Sequence, residues 1–349
     1  MQKFKVILMA MAILLPESKL IAQSKSKKMD TLLQTIHREG KFDGAILVAN
    51  KQGVVYKNGF GNATLKPVTH NEFSTVFYIA SLSKPFTSIL IMQLVQKGKV
   101  KLSYKLEDYL PHLKNQNMRK VTIHQLLSHT SGIPDFIDGT VSEKNYTDEW
   151  FTQKLDGLKL DTASEKKFKY ANSTYVLLAH IIKKVTGKSY AKNLQESILS
   201  PLGMHKSGSL VTGQKIKGIA EGHVIRDSII GVAPYLNPAS FEGAGSVYST
   251  VEDLYKLDQA LYADKLLGGQ YKELMFTNQS DAPYGYGWFI RKLPGKVVMH
   301  EGDFPGYTSL IFRAIEKNYF IIMLDNNQSH DKYKQEIVRR IVNVLNEAD

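Results

Sequence analysis

The 349-residue sequence contains no cysteine, and this absence removes several kinds of chemistry at once. Disulfide bonds, thiol catalysis, thiolate zinc sites and a lipid-modified cysteine are all excluded. If the protein is exported, its stability must therefore come from its hydrophobic core. Hydrophobic residues make up 43% of the chain, an ordinary value for a globular protein, so a core of normal size is expected.

Two common hydrolase signatures are also missing. The chain has no Gly-x-Ser-x-Gly, which marks the nucleophile of many Ser-His-Asp hydrolases, and no His-Glu-x-x-His, which binds zinc in metalloproteases. His129 therefore does not indicate a Ser-His-Asp triad, and we interpret most of the histidines as structural. We expect no metal and no cofactor.

The apolar run near the N-terminus, Val6 to Leu15, is too short to span a bilayer. Two lysines precede it and Leu20-Ile21-Ala22 follows it, an order typical of a secretory signal peptide. We predict that residues 1–22 are a signal peptide, with an uncleaved anchor as the alternative. The mature protein, residues 23–349, is then expected in the periplasm or secreted, without a stable membrane span.

The formal net charge is +12, and it falls to +10 without residues 1–22, which carry three lysines and one glutamate. The basic residues form no long block, so we do not expect nucleic-acid binding. A basic surplus of this size is compatible with an anionic envelope surface or acidic substrates, but we interpret most of the charge as solvated surface.

Residues 77–86 carry the first candidate for catalysis. Ser81 lies three residues before Lys84, and in a helix the two would be neighbours on one face. A serine hydroxyl needs an adjacent base, and a lysine is a base only when burial or a second cation lowers its pKa. The spacing alone is weak evidence, because it recurs at Ser24/Lys27, Ser164/Lys167, Ser189/Lys192 and Ser329/Lys332.

The surrounding sequence separates Ser81 from those other matches. Pro85 suits the first turn of a helix, a nearly continuous apolar run follows it, and Gly98 ends the pattern. A helix that is apolar nearly all round is buried. The sequence predicts Ser81 at the start of a central helix; the alternative is that Ser81 and Ser83 only cap that helix.

Tyr170-Ala171-Asn172 is the second candidate, because it directly precedes a helical pattern that ends at Gly187. A tyrosine near ammonium groups can be held as phenolate or can relay protons. An asparagine can bind an amide-like substrate. The pattern also occurs at Tyr56-Lys57-Asn58 and Tyr235-Leu236-Asn237, and its alternative explanation is a buried tyrosine beside a capping asparagine.

His300-Glu301-Gly302 is the third candidate, at the end of a predicted strand. A glycine at a strand edge lets a substrate backbone approach closely. The N–H of Asp303 could then donate to an oxyanion together with the N–H of Ser81. The alternative is a strand that simply ends, since Asp303-Phe304-Pro305-Gly306 is typical of a turn.

Strand patterns occur at both ends of the chain, and helical patterns dominate its middle. The predicted fold is α+β: an antiparallel sheet built from both chain ends and flanked by helices, with a mostly helical inserted lobe at about residues 100–240. The predicted strands are 44–48, 54–56, 286–290, 297–300, 308–312 and 319–324, with loops at 59–61 and 102–110. The predicted helices are 29–38, the Ser81 helix, one beginning at 121–127, and 175–185, 190–198, 250–261 and 333–345.

Taken together, these motifs resemble the serine β-lactamase and penicillin-binding-protein superfamily, and within it the class C β-lactamase-like branch. The resemblance extends over about the whole mature chain. It is also carried by Val121 to Pro134, Gly187-Lys188-Ser189-Tyr190, Pro201-Leu202-Gly203-Met204, Gly243 to Thr250 and Tyr286-Gly287-Trp288.

The resemblance implies a role for each candidate. Ser81 would be the acylated nucleophile, with Lys84 and Tyr170 sharing proton transfer. Asn172, His300 and Gly302 would contact the substrate, and the N–H groups of Ser81 and Asp303 would form the oxyanion hole. The resemblance thus implies Ser81, Lys84 and Tyr170 as catalytic residues and Asn172, His300, Gly302 and Asp303 as substrate-binding residues.

One position departs from the family pattern. His300 stands where many relatives carry the lysine of Lys-Thr-Gly, and Glu301 follows it. Histidine is mostly neutral at pH 7, and a Glu301 carboxylate facing the pocket would repel a substrate carboxylate. Strand alternation leaves the direction of Glu301 open. Strong β-lactam turnover is therefore less expected than turnover of esters or of neutral or cationic peptides.

The sequence thus predicts an exported serine acyl hydrolase that acts on amide, lactam or ester bonds of a small molecule or peptide derived from the cell wall. An acyltransferase using the same acyl-enzyme is one alternative, because the first half-reaction is shared. A catalytically silent sensor domain is the other. The oligomeric state is not predicted.

Overall fold

The computed structural model describes residues 24–161, 167–226 and 229–347. The predicted signal peptide lies outside these ranges, and the predicted boundaries of the domain and its helical lobe stay predictions. Among the helices of the described ranges, none is both long and apolar enough to cross a bilayer.

The strands, in chain order, are β1 (Gly44–Asn50), β2 (Gly53–Phe60), β3 (Asn62–Leu65), β4 (Val68–His70), β5 (Phe77–Tyr78), β6 (Gly208–Ser209), β7 (His223–Arg226), β8 (Ile229–Val232), β9 (Val247–Ser249), β10 (Phe289–Leu293), β11 (Gly295–Phe304), β12 (Tyr307–Ala314) and β13 (Tyr319–Asp325).

The helices are α1 (residues 24–38), α2 (Ser83–Gln96), α3 (Leu106–Tyr109), α4 (Gln116–Arg119), α5 (Ile123–Leu127), α6 (Asp148–Asp156), α7 (Asn172–Thr186), α8 (Tyr190–Leu194), α9 (Ser200–Leu202), α10 (Val251–Tyr262), α11 (Gly269–Met275) and α12 (Lys334–Asn346). Short 3₁₀ turns cover Ala80–Leu82, Glu143–Asn145, Pro238–Phe241 and Gln328–Tyr333, and a π-helical turn covers Gln195–Leu199.

The main sheet has six antiparallel strands in the order β10-β11-β12-β13-β1-β2. The two ends of the chain meet at its centre, where Ala45 of β1 lies opposite Leu324 of β13. The α+β fold with a sheet made from both chain ends is therefore confirmed. Three small sheets, β3-β4, β5-β9-β6 and β7-β8, lie outside it.

Side chains alternate between the two faces of the sheet and build two separate cores. Ile46 and Met323 pack with α1 and α12 on one face. Leu47 and Ile322 face the other way, toward the core that contains α2, α7 and α10. This alternation of period two decides which residues of β11 face the helical side of the molecule.

Helix α2 is buried on every side, as its nearly continuous apolar sequence predicts. All residues from Ser83 to Leu94 are buried, including the charged Lys84. Pro85 lies in the first turn of the helix, where its missing N–H leaves no donor unpaired.

Several predicted elements differ in extent, each for a local reason. The predicted loop at 102–110 contains α3, because the Asp108 carboxylate accepts the N–H of Lys105 and caps the turn. The strand predicted at 286–290 begins only at Phe289, since Gly287 has a φ of 79°. The predicted loop at 59–61 lies partly in β2, which runs to Phe60.

Strand β11 is also longer than the strand that the sequence predicts at 297–300. It continues past His300 to Phe304, because pairing with β12 runs unbroken to Phe304 opposite Tyr307. The turn follows at Pro305 and Gly306, where Gly306 has a φ of 85°. The turn suggested by Asp303-Phe304-Pro305-Gly306 is thus present, but it is confined to Pro305 and Gly306.

A buried ion pair joins helix α10 to the sheet. Arg313 of β12 donates from Nε to Asp258 Oδ1 at 2.5 Å, and both side chains are 1% exposed. Burial raises the pKa of Asp258 while the Arg313 guanidinium opposes that rise. Because α10 directly follows β9, the pair also fixes the strand that holds β5.

We expect Arg313→Met to lower the free energy of unfolding by about 3–5 kcal/mol, because it leaves the buried Asp258 carboxylate without its cationic partner. Urea unfolding measures this loss. The control is Lys188→Met, which breaks an exposed pair with Glu196 and should cost about 1 kcal/mol or less. Equal losses in the two variants would contradict a special role for the buried pair.

Candidate active site

Ser81 lies in the 3₁₀ turn that joins β5 to helix α2. Ala80 in this turn has a φ of 48°, which is an unusual backbone conformation for a residue with a side chain. Ser83 fixes the turn, since its Oγ donates to Ala80 O at 2.7 Å and accepts from Val247 N at 2.9 Å.

The Ser81 side chain does not cap the helix. The residue at the N-cap position is Leu82, and no side chain makes a capping hydrogen bond there. Ser81 is also partly exposed, at the start of an otherwise buried helix. The alternative in which Ser81 and Ser83 only cap α2 is therefore not what the structure shows, and the Ser81 hydroxyl is available for chemistry.

The Lys84 amine lies among three oxygen atoms. Its Nζ is 3.0 Å from Ser81 Oγ, 2.8 Å from Asn172 Oδ1 and 3.0 Å from Ala244 O. A backbone carbonyl only accepts hydrogen bonds, and so does an amide oxygen. The two hydrogens of a neutral amine are therefore taken by Asn172 and Ala244, which leaves the nitrogen lone pair for Ser81.

Burial lowers the pKa of the Lys84 amine. The side chain is fully buried, and loss of solvation lowers the pKa of Lys84 to about 7, although the nearby Asp135 carboxylate opposes the shift. A substantial fraction of Lys84 is thus neutral near pH 7. A neutral amine 3.0 Å from a serine hydroxyl can accept its proton.

Asn172 is held from two sides at the first turn of α7. Its Oδ1 accepts from Lys84, while its Nδ2 donates to Asp135 Oδ2 at 3.0 Å, which fixes the orientation of the amide. Asp135 also accepts from the backbone N–H groups of Asn172 and Ser173 at 3.1 and 3.0 Å. The capping role proposed for Asn172 as an alternative therefore belongs to Asp135.

Tyr170 lies next to both Ser81 and Lys84. Lys84 Nζ lies 4.6 Å from the centre of its ring, and the Ser81 side chain is near enough to the hydroxyl to favour a lower pKa of Tyr170. Burial of the hydroxyl nevertheless raises the pKa of Tyr170 far above its ordinary value. The phenolate form considered from the sequence is therefore disfavoured, and Tyr170 is present as a neutral hydroxyl.

The His129 ring packs against the ring of Tyr170. The two ring centres are 4.4 Å apart, and the His129 Nδ1 accepts from Ala171 N at 3.3 Å. Burial, with smaller effects from Lys84 and His300, lowers the pKa of His129 well below its ordinary value. His129 is thus a neutral ring that packs behind Tyr170 and contacts no Asp or Ser in a triad.

Strand β11 brings His300 and Gly302 to the same side of the sheet as Ser81. A Cβ atom added to Gly302 would lie 3.0 Å from Ser81 N and 2.6 Å from Ser309 Oγ. Glycine is therefore required at this position, as the close approach predicted from the sequence implies. In the described residues, β10 pairs with β11 only as far as Met299, so 300–304 form an open edge beside Ser81.

His300 is buried and neutral. Loss of solvation, with a smaller effect from Lys84, lowers the pKa of His300 to about 3. Its Nδ1 donates to Glu301 O at 2.6 Å, so in the neutral ring Nε2 is an acceptor, 3.5 Å from the Tyr284 hydroxyl. His300 therefore offers no positive charge to a substrate.

Glu301 and Asp303 point to the opposite face of the sheet. The Lys334 amine of α12 lies 3.5 Å from Glu301 and 3.1 Å from Asp303, and Gln335 also donates to Glu301. The direction of Glu301, which the sequence leaves open, is thus away from Ser81. Its carboxylate does not face a substrate at Ser81, and Asp303 can reach that side only through its backbone.

These features agree with comparisons with known proteins. The profile of the Beta-lactamase family matches residues 29–345. The chain belongs to this family. A penicillin-binding protein of Bacillus subtilis (strain 168) is 31% identical over 348 residues, covering 93% of this chain and 76% of the relative.

Solved structures of the β-lactamase family share the fold. The penicillin-binding protein from Bacillus halodurans is 26% identical, with a TM-score of 0.75, covering 88% of this chain and 99% of that one. A D-amino acid amidase from Ochrobactrum anthropi SV3 has a TM-score of 0.78 at 22% identity, covering 91% and 99%. The family and its relatives support a hydrolase of the serine type.

The structure of this β-lactamase-family chain also adds residues that sequence reasoning missed. Asp135 orients Asn172, and Ala244 O accepts from Lys84. Lys334 forms an ion pair with Asp303 on the face of β11 that points away from Ser81. Asp135 directly follows the segment from Val121 to Pro134, and Ala244 lies in the segment from Gly243 to Thr250, so both were adjacent to recognised patterns. No local signal marks Lys334.

The seven predicted site residues lie in one region, around the start of α2, the start of α7 and the open edge of β11. Among the described residues, no group of three or more His, Asp or Glu side chains is arranged to hold a metal ion. The chemical roles of Ser81, Lys84, Tyr170 and the four binding residues stay predictions.

We expect Gly302→Ala to reduce kcat/KM by at least about tenfold, because the added methyl group forces β11 away from the Ser81 turn. Ester hydrolysis and thermal unfolding measure activity and stability. Gly231→Ala in β8 is the control, since a Cβ there meets no atom within 4 Å. Full activity of Gly302→Ala would show that the close approach has no function.

Proposed function

We propose that this protein is an exported serine acyl hydrolase that forms an acyl-enzyme on Ser81. The observation that carries the proposal is the buried Lys84 amine, with a pKa of about 7, at 3.0 Å from Ser81 Oγ. Membership of the β-lactamase family supports it.

In the first step Ser81 Oγ attacks the carbonyl carbon of the substrate and passes its proton to neutral Lys84. The resulting oxyanion accepts hydrogen bonds from the backbone N–H groups of Ser81 and Asp303, which lie where β11 approaches the turn. The ammonium form of Lys84 is then held by Asn172 O and Ala244 O.

Collapse of the tetrahedral intermediate breaks the C–N or C–O bond and needs a proton for the leaving group. We assign the relay of that proton from Lys84 to Tyr170, because its ring lies 4.6 Å from Lys84 Nζ and its neutral hydroxyl is near Ser81. Water then attacks the acyl-enzyme, and the same groups act in reverse to release Ser81. If an alcohol or amine attacks instead, the reaction is acyl transfer.

The charges around Ser81 favour substrates without a carboxylate next to His300. His300 is neutral, so it supplies no counter-charge, and Glu301 faces away, so it causes no repulsion. We propose peptides, amides and esters with a neutral group at this position as substrates, with β-lactams turned over more slowly. The D-amino acid amidase of the same fold supports this choice.

A cavity of about 390 Å³ lies at the end of β11 that follows Gly302, and we propose that it receives part of the substrate. Its walls include Tyr78, three residues before Ser81, and Phe304, two residues after Gly302. Tyr235 and Leu236 contribute further apolar surface, and Glu221 is the charged residue of the lining. An apolar or aromatic substituent therefore fits this cavity better than an anionic one.

The experiment that tests the function compares kcat/KM for a chromogenic cephalosporin, a p-nitrophenyl ester and a D-amino acid p-nitroanilide. Faster ester or anilide turnover supports the proposal. A dominant lactam rate would contradict the proposed substrate preference. No rate above the Ser81→Ala background, with no covalent adduct in mass spectrometry, would favour the silent sensor domain.

We expect Ser81→Ala to abolish turnover, and Lys84→Ala and Tyr170→Phe each to lower kcat by two orders of magnitude or more, because the three groups act as a unit. Steady-state kinetics and intact-mass detection of the acyl-enzyme measure both effects. Ser88→Ala, a buried serine on the same helix outside the proposed reaction, is the control. Near-normal turnover by Ser81→Ala would rule out the mechanism.

The pH dependence follows from the acidity of Lys84. Because the neutral amine is the active form, kcat/KM for an uncharged ester should rise as pH increases through about 7 and then level off. His300→Gln should keep this inflection, since the pKa of His300 is about 3. An inflection that disappears in His300→Gln would assign the base to the histidine instead.

A further inference from the structure

A second cavity, of about 610 Å³, is lined by the residues before β5, the residues before β6 and residues 214–218, and it carries a concentration of positive charge. Lys206, Lys215 and Lys217 line it together with His205. Its lining contains no carboxylate. The cavity is separate from the groups around Ser81 and takes no part in the acyl chemistry proposed above.

The three lysines of this cavity have no carboxylate partner among the described residues. Lys206 Nζ contacts only a backbone oxygen, Ser74 O, at 3.5 Å. The nearby Asp253 carboxylate is occupied by Lys256 Nζ at 2.7 Å and by Lys206 N and Ser207 Oγ. Glu72 contacts the Ser74 hydroxyl at 3.4 Å but does not line the cavity.

Another lysine-lined cavity shows the contrast. Lys97, Lys99 and Lys188 line a space of about 160 Å³, but Glu196 lies in that lining and pairs with Lys188 at 2.5 Å. Its positive charge is thus partly balanced within the protein. Like charges gathered around a cavity without such a partner repel each other, and an anion that binds there relieves the repulsion.

The backbone around the cavity of Lys206, Lys215 and Lys217 is hydrogen-bonded to the rest of the fold. Val76 of one wall forms a bridge with Ile219, and Ala220 N donates to Val76 O at 2.8 Å. Gln214 closes the turn before Lys215, with its N donating to Val211 O at 2.9 Å and its side chain accepting from Val211 N. The backbone that carries the exposed lysine side chains is therefore fixed around the space.

Hydroxyl donors add to the cations. Ser74, Thr75 and Tyr248 also line the cavity. Ammonium groups together with hydroxyls are the groups that bind phosphate oxygens in proteins. The volume exceeds the space of one phosphate group, and three lysines match an anion with two or more charges.

We propose that this cavity binds a phosphate-bearing ligand with at least two negative charges. The ligand is either a soluble phosphorylated compound or a segment of a phosphate-containing polymer, which present the same chemistry to the lysines. The site is independent of Ser81, so its occupancy does not depend on the proposed hydrolase activity.

Calorimetric titration of the mature protein with pyrophosphate at low ionic strength tests the proposal. The Lys215→Gln/Lys217→Gln variant should bind at least about tenfold more weakly, because two charged contacts are lost. The Lys99→Gln/Lys101→Gln variant is the control, with the same spacing and charge change on two other exposed lysines. Affinity should also fall steeply with added salt.

Equal affinity of Lys215→Gln/Lys217→Gln and wild type would overturn the proposal, as would citrate binding as tightly as pyrophosphate. Much tighter binding of long-chain polyphosphate than of pyrophosphate supports a polymer, and equal binding supports a soluble compound. Ester hydrolysis should be unchanged in Lys215→Gln/Lys217→Gln, which shows that the variant is folded. A failed hydrolase assay of the wild type would leave this binding result unaffected.

Discussion

The burial of one amine, that of Lys84, is the constraint on which the site depends. A charged ammonium is costly away from water. A buried lysine therefore needs acceptors around its amine, or it loses its proton and becomes neutral. Here both conditions hold: three oxygens surround Nζ, and the pKa falls to about 7. Those oxygens come from the turn before α2, the start of α7 and the segment before β9, so the amine joins three separate parts of the chain at one point.

The rest of the site follows from keeping that junction rigid. The open turn at Ala80 would be strained alone, but Ser83 holds it from inside α2 and Ser309 of β12 donates to Ile79 O at 3.0 Å. Asp135 holds the start of α7, so Asn172 presents its oxygen to Lys84. Lys334 holds Asp303 from the far face of the sheet. Each of these contacts fixes the orientation of a residue at or next to a proposed reacting group.

The sequence allowed much of this arrangement to be predicted, because its local signals are strong. The apolar run after Pro85 predicted a buried helix, and the strands around Asn50 to Gly53 predicted the first hairpin. What it left open depended on contacts between distant segments. The direction of Glu301 needed the register of β11 against β12, and the role of Asp135 needed α7 to lie beside it. The protonation of Tyr170 depended on burial, which no spacing of residues encodes.

His300 explains how the acidity of Lys84 is set in this chain. From sequence, either burial or a second cation could lower the pKa of that lysine. A lysine at position 300 would place a second positive charge near Lys84, because the two groups already influence each other. The neutral His300 ring removes that charge, so burial alone accounts for the low pKa, with Asp135 opposing it. In the proposed mechanism, a neutral residue 300 therefore changes the preference for a substrate carboxylate without removing the cause of the low pKa of Lys84, which is burial. The proposed mechanism thus lets substrate preference and the pKa of Lys84 be adjusted separately in this chain.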